Sequence, residues 1–210
     1  VFLAVALPAP EELTTIANVM PAPPMPFVPA EHHGRLVILA ILAYAGAPEA
    51  GERAVAPFRR LAPPLADLVR PMRYADIYPP DEAGYHPTAA STTLFVDRVD
   101  RGVAQDIVTR LEASDAPLRV AQLRVLGGAM ARVPAEATAF AHRASRIMVN
   151  LAAFYTGPAD QGARADWVAE FAATLRQGDA GAYVNFLGDE GEARVRAAYP
   201  GGTWDRLTAI

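Results

Sequence analysis

The sequence contains no cysteine and no lysine, and all 19 of its basic residues are arginine. The absence of Cys excludes disulfides, thiolate nucleophiles and zinc–thiolate or iron–sulfur sites. The absence of Lys excludes Schiff-base chemistry, an anchored pyridoxal phosphate and the lysine of a phosphate-binding P-loop. Because only four His are present, we expect no metal site.

The sequence also lacks a strong excess of charge of either sign. The 19 basic residues stand against 23 acidic ones, for a net charge of -4, and no five consecutive residues carry like charges. This pattern argues against nucleic acid or an anionic membrane as a partner. The apolar start from Val1 to Leu7 is stopped by Pro8 and Pro10 and is too short to span a bilayer. We therefore expect a cytoplasmic protein.

The chain has 210 residues, 52% of them hydrophobic, which is enough apolar material for one sizeable core. Five stretches have patterns typical of β-strands: 13–19, 34–44, 119–133, 147–155 and 182–187. The second is almost continuously apolar, which predicts a central strand covered on both faces. Gly127 and Gly128 interrupt the third and indicate either a bulge or a close backbone approach.

Helical spacing of apolar residues predicts five helices: 48–61, 65–69, 99–113, 160–176 and 190–199. Asp100 and Asp189 are the expected N-caps of the third and the last. Residues 71–87 are expected to be irregular. Short strand-to-strand connections and helices that do not follow every strand favour an α+β fold over a doubly wound parallel sheet. We expect a single, mostly antiparallel sheet with helices packed on one face.

Few polar residues stand out as candidates for chemistry. The sequence has no glycine-rich nucleotide-binding motif and no serine in the strand–turn–helix context of a hydrolase. Asn150 lies within an apolar strand, where its amide is either satisfied by neighbouring backbone or faces a ligand.

Tyr183 and Asn185 are two apart in a predicted strand, so both should lie on one face. A phenol beside an amide can orient a substrate hydroxyl, and a Tyr can serve as a general base. The alternative is a structural Tyr whose hydroxyl meets the backbone.

Three ordered blocks carry a family resemblance: LGGAMARVP at 126–134, ATAFAHR at 137–143 and YVNFLGDEG at 183–191. A fourth similarity runs from 51 to 67. Together they resemble the C-terminal half of bacterial FAD-linked oxidases of the berberine-bridge-enzyme-like (BBE-like) family. The resemblance covers most of the chain.

The resemblance implies a two-domain flavoenzyme in which a substrate domain lays an antiparallel sheet over the isoalloxazine ring of FAD. Residues 1–210 then correspond to the substrate-binding domain, without the N-terminal FAD-binding domain and without a C-terminal closing segment. Tyr183 matches the tyrosine of the family's Tyr-x-Asn strand, which implies a catalytic role in proton removal. Asn150 and Asn185 match positions that imply substrate binding.

Two functions follow as hypotheses. The first is the substrate-binding portion of a FAD-dependent oxidoreductase that oxidises an alcohol-type or related C–H substrate by hydride transfer to flavin. The alternative is a non-catalytic domain, free-standing or a remnant, that binds a small molecule or self-associates without cofactor. The expected partners are a small-molecule substrate and a FAD-binding domain in cis or in trans, without which we expect no activity and no FAD binding. We also expect a homo-oligomer, because the sheet face that would cover a flavin should be apolar.

Overall fold

The computed structural model describes residues 1–77, 87–178, 181–188 and 190–210. Within these residues, five strands form one antiparallel sheet in the order β2-β1-β4-β5-β3. The strands are β1 (Leu13–Pro21), β2 (Leu36–Tyr44), β3 (Thr88–Val96), β4 (Arg119–Val125) and β5 (Ile147–Tyr155). The helices are α1 (Phe2–Ala6), α2 (Pro48–Arg59), α3 (Arg101–Ala113), α4 (Gln161–Leu175), α5 (Glu192–Ala198) and α6 (Gly202–Thr208). The predicted α+β class with a single antiparallel sheet is confirmed.

One face of the sheet carries the apolar core. Successive side chains of a strand point to opposite faces, and the register aligns one buried row across four strands: Ala17, Leu123, Val149 and Leu94. This row belongs to two apolar clusters that include Phe58 of α2, Leu111 of α3 and Phe171 of α4. Burial of each such large side chain contributes about 1.5–3 kcal/mol. Helices α1 to α4 therefore pack on one face, as predicted, and the other face is left to loops.

The apolar stretch 34–44 is not the central, doubly covered strand that its composition predicts. It forms β2, which is one edge of the sheet, and Ile38 on it is 55% exposed. A continuous run of Val, Ile and Leu reflects a preference for extended structure and does not fix a strand's position in a sheet. The prediction of burial on both faces was wrong.

The opposite edge of the sheet is β3, which the sequence pattern did not predict. The stretch predicted as a strand, 182–187, instead contains a single 3₁₀ turn, Val184–Phe186. The predicted helix over 65–69 is also absent, since those residues are irregular. Asp67 accepts a 2.6 Å hydrogen bond from Arg59 Nε on α2, and this bond lowers the pKa of the Asp67 carboxyl. Val69 N also donates to Asp67 Oδ1 at 3.0 Å, a local side-chain bond that competes with a helical turn.

The paired glycines end β4 rather than interrupting it. Gly128 has a φ of +60°, and a Cβ there would lie 2.8 Å from Glu11 Cγ. Of the two alternatives the structure shows a close approach, although to a side chain and not to backbone.

The last stretch of predicted helix is also shorter than expected. It begins at Glu192 after Gly191, and the expected cap Asp189 lies outside the described residues. No helix in the described part of the chain is both long and apolar enough to cross a membrane.

The predicted cap of α3 is confirmed: Asp100 Oδ1 accepts a 3.0 Å hydrogen bond from Val103 N. We expect Asp100→Ala to lower the free energy of unfolding by about 1 kcal/mol, because the first turn loses a partner for its amide. Asp106→Ala, an exposed position of the same helix, is the matched control and should change it by less than about 0.5 kcal/mol. Denaturant unfolding of the two variants checks the difference, and equal effects would contradict it.

Candidate functional site

The sheet face opposite the helices carries a row of polar side chains, which we call the polar row: Asn18 on β1, Gln122 on β4, Asn150 on β5 and Thr93 on β3. These residues are direct neighbours in the strand register. The expectation that this face is apolar with few polar groups was wrong. Its polar groups lie on four different strands, and nothing in the local sequence aligns them.

Hydrogen bonds orient the first half of the polar row. Asn18 Nδ2 donates to Leu39 O on β2 at 3.0 Å, and Gln122 Nε2 donates to Asn18 Oδ1 at 2.6 Å. Arg124 Nε donates to Gln122 Oε1 at 2.7 Å. Both ends of the Gln122 amide are therefore engaged, the nitrogen by β1 on the side away from β5 and the oxygen by Arg124 of its own strand.

Asn150 occupies the next position of the row and is 8% exposed. Its Oδ1 has less than 1 Å² of accessible surface and accepts no hydrogen bond from any described residue. An unsatisfied buried acceptor costs about 1–3 kcal/mol. Satisfaction by neighbouring backbone, one of the two alternatives raised by the sequence, is not what the structure shows for this oxygen. The oxygen is thus suited to a donor that no described residue supplies.

A short segment, Tyr183 to Phe186, lies across β5 on this face, and we call it the crossing segment. At one end, Tyr183 N donates to Thr93 Oγ1 on β3 at 3.0 Å. At the other end, the guanidinium of Arg124 on β4 lies 4.9 Å from the ring centre of Phe186. Because β5 runs between β4 and β3, the crossing segment passes over the region of Asn150.

Tyr183 and Asn185 meet within the crossing segment, although not by the strand geometry predicted for them. Asn185 Nδ2 donates to the Tyr183 hydroxyl oxygen at 2.8 Å. The Tyr183 ring is half-buried and Asn185 is exposed. The hydroxyl therefore meets a side-chain amide, which orients its lone pairs and its proton. The catalytic role of Tyr183 and the substrate-binding roles of Asn185 and Asn150 stay predictions.

Aromatic rings support the crossing segment from the 126–146 loop. The Phe140 ring contacts Tyr183 edge-on, with centroids 5.8 Å apart, and it also contacts His142. His142 is stacked at 4.2 Å on Phe95 of β3. Arg143 donates to Phe140 O and Met130 O, so it binds the loop's own backbone rather than a carboxylate. The described contacts of His142 and Arg143, with Phe95 and with the loop's own residues, indicate structural roles.

Residues that follow the crossing segment are fixed at the sheet edge. Arg194 Nη2 on α5 donates to Thr93 O at 2.7 Å, and Thr92 Oγ1 donates to Glu190 Oε2 at 2.8 Å. Arg194 and Glu190 form an ion pair at 3.2 Å. These contacts occupy polar groups of an edge strand that would otherwise be free to pair with another chain.

Sequence reasoning missed four residues of this site: Asn18, Gln122, Thr93 and Arg124. Asn18, Gln122 and Arg124 look like ordinary polar residues of alternating strands, and Thr93 lies on a strand that the pattern did not predict. Only the register across β1, β4, β5 and β3 brings them together. Among the described residues, no three His, Asp or Glu side chains are grouped as metal ligands would be.

The unsatisfied oxygen of Asn150 has a measurable consequence for stability. We expect Asn150→Leu, which is similar in size, to raise the free energy of unfolding by about 1 kcal/mol, because it removes an unpaired buried acceptor. Thr93→Val is the matched control from the same row. It should lower that free energy by about 1–2 kcal/mol, since it leaves Tyr183 N without its acceptor. Loss of stability in both variants, measured by denaturant unfolding, would show that Asn150 is satisfied.

No protein-family model matches the sequence, and no curated protein matches it. Solved structures do. A glycopeptide hexose oxidase complexed with teicoplanin has 20% sequence identity and a TM-score of 0.67, with 94% of this chain and 43% of that chain covered. BBE-like protein 28 from Arabidopsis thaliana has 16% identity and a TM-score of 0.70, with 99% and 48% covered. A chitooligosaccharide oxidase has 13% identity and a TM-score of 0.64, with 96% and 45% covered.

The chain spans less than half the length of each of these proteins, with 43–48% of their residues covered. At such low identities the similarity shows the fold. The chain has the fold of about half of a BBE-like protein, as the resemblance of its three sequence blocks implies.

Proposed function

We propose that this chain is the substrate-binding portion of a FAD-dependent oxidoreductase that oxidises an alcohol-type carbon. The single observation that carries the proposal is the buried, unpaired Asn150 Oδ1 on the sheet face opposite the helices. The fold shared with a hexose oxidase and a chitooligosaccharide oxidase supports it. The bacterial and cytoplasmic setting implied by the resemblance and the composition belongs to the same proposal.

The class of substrate follows from the hydrogen-bonding groups of the site. Asn150 Oδ1 is an acceptor that lacks a donor, and a substrate hydroxyl supplies one. Asn185 Nδ2 donates to the Tyr183 hydroxyl oxygen at 2.8 Å, and in its phenolate form Tyr183 can take the proton of the same or a neighbouring hydroxyl. An acceptor and a phenol suit a neutral alcohol or sugar rather than an anion.

The residues of this chain then have separate tasks in the reaction. Asn150 binds and orients the substrate hydroxyl, Tyr183 takes its proton as the C–H bond breaks, and Asn185 fixes the phenol. The chemistry that FAD supplies when bound is acceptance of the hydride from the substrate carbon. Convergence of base and substrate in one orientation is what the site contributes to the rate. Because Asn150 Oδ1 is buried in the described structure, its contact with substrate requires the residues that cover it to move.

The site residues fit a substrate better than they fit the phosphates of a dinucleotide. The polar row offers amide and hydroxyl groups. The cation beside it, Arg124, is engaged with Gln122 and Phe186. We therefore assign FAD binding to a second domain, in cis or in trans, with this chain contributing the wall that faces the substrate.

The proposal is tested on the natural gene product, purified from its source with all of its polypeptide. A yellow protein with flavin absorption bands that bleach on addition of a sugar or alcohol supports it. A colourless protein that carries no flavin would contradict it and favour the alternative, a non-catalytic domain that binds a small molecule.

Substitution of Tyr183, the proposed base, tests its effect on turnover separately from its effect on stability. In the flavin-containing protein we expect Tyr183→Phe to lower kcat by roughly 10²–10⁴-fold, as for loss of a general base. The half-buried hydroxyl is bonded to an exposed amide, so the free energy of unfolding should change by less than about 1 kcal/mol. The control is Tyr199→Phe at the C-terminal end of α5, which should leave kcat unchanged. Unchanged turnover in Tyr183→Phe would remove this residue from the mechanism.

The chain alone should not bind FAD. Calorimetric titration of residues 1–210 with FAD is expected to show no saturable heat, because dinucleotide binding needs backbone amides arranged around the phosphates and no glycine-rich motif of that kind occurs in the sequence. Saturable binding in the low micromolar range would overturn the assignment of FAD to a second domain.

A further inference from the structure

Asn150 Oδ1 accepts no hydrogen bond from the described residues, although the side-chain amide of Gln122 is on the neighbouring strand. Gln122 on β4 and Asn150 on β5 are direct partners in the antiparallel register, a position from which side chains of this length reach each other. Gln122 Nε2 is nevertheless 2.6 Å from Asn18 Oδ1 on the opposite side, on β1. A donor that could pair with Asn150 Oδ1 is therefore present on the neighbouring strand, but it donates to Asn18 instead.

Two neighbours hold the Gln122 amide in this direction. Asn18 is 6% exposed, and its own Nδ2 is fixed by Leu39 O at 3.0 Å, which directs Oδ1 toward β4. Arg124 donates from Nε to Gln122 Oε1 at 2.7 Å, which fixes the other end of the same amide. The Gln122 side chain is thus oriented by a hydrogen bond at each end.

We infer that Asn18 and Arg124 are positioning residues, which hold Gln122 away from Asn150 and so keep Asn150 Oδ1 available to a hydroxyl donor of the substrate. The use of that oxygen by substrate rests on the proposed function. The hydrogen-bond arrangement itself belongs to the chain and is testable without cofactor or substrate. Asn18 lies two strands away from Asn150, so a dependence of one on the other must pass through Gln122.

The test is a double-mutant cycle in the unfolding equilibrium of the full chain. In the wild-type background, Asn150→Leu removes an unpaired acceptor and should lower the unfolding equilibrium constant roughly fivefold. In the Asn18→Leu background, Gln122 Nε2 is released and pairs with Asn150 Oδ1. There the same Asn150→Leu change breaks a hydrogen bond and should raise the unfolding equilibrium constant roughly fivefold. The expected result is this change of sign, and equal effects of Asn150→Leu in both backgrounds would overturn the inference.

Three further backgrounds separate positioning from a general structural effect. Asn18→Ala repeats the release of Gln122 with a smaller side chain, in case Leu is not accommodated at this site, and should give the same change of sign. Asn18→Asp keeps an acceptor for Gln122 Nε2, so Asn150→Leu should stabilise the chain as in the wild type. Gln122→Met removes the donor, so Asn150→Leu should stabilise the chain with either Asn or Leu at position 18.

Failure of the positioning inference is distinguishable from failure of the proposed function. A change of sign in the cycle, together with a flavin-free natural protein, supports the positioning and contradicts the function. Additive effects in the cycle, together with a flavoprotein that oxidises a sugar or alcohol, contradict the positioning and leave the function standing.

Discussion

The structure depends on a sheet whose helices cover only one face. On that face the side chains of every second residue are closed into an apolar core with α1 to α4. On the other face no helix of the described chain supplies apolar cover over the centre, so the side chains there must satisfy one another, meet loops or meet a ligand. The polar row is the result: the side-chain amides of Asn18 and Gln122 donate sideways to neighbouring strands, and Thr93 accepts from the crossing segment.

In the proposed function, this arrangement lowers the stability of the fold and provides a group for binding substrate at one position. Apolar side chains at these positions could be buried equally well and would leave no hydrogen-bond acceptor unpaired. Asn150, in contrast, has a buried oxygen without a donor among the described residues. Binding sites commonly keep groups that are unfavourable until a ligand arrives. The surrounding β5 offsets the cost, since Ile147, Val149 and Leu151 on its other face are almost completely buried. A strong core on one face therefore permits an unsatisfied group on the other.

The fold was predictable from the sequence where periodicity and length act together. Residues 147–155 are apolar, β-branched at the start and bounded by Gly157-Pro158, and the structure places β5 over the same residues. The order of the strands within the sheet was not predictable. Hydrophobicity is read from one segment, whereas a strand's position in the sheet depends on which other strands it pairs with. The strand β2 is apolar and at an edge, whereas β3 begins with small and polar residues and pairs with β5 along nine positions. Tertiary pairing thus overrode local preference at both edges.

The candidate site was predictable only in its local part. Tyr183 and Asn185 are close in the sequence, so a contact between them survives whether the backbone is a strand or a 3₁₀ turn. Asn150 was conspicuous because one amide stood in an apolar stretch. Its relation to Thr93, Gln122 and Asn18 depends on the register of four strands, and a shift of one residue in any pair would send one member to the helix-covered face. The register is set by the apolar residues of the core face, which reach their helices only in this alignment. The apolar residues of the buried face therefore determine the alignment of the polar row on the opposite face.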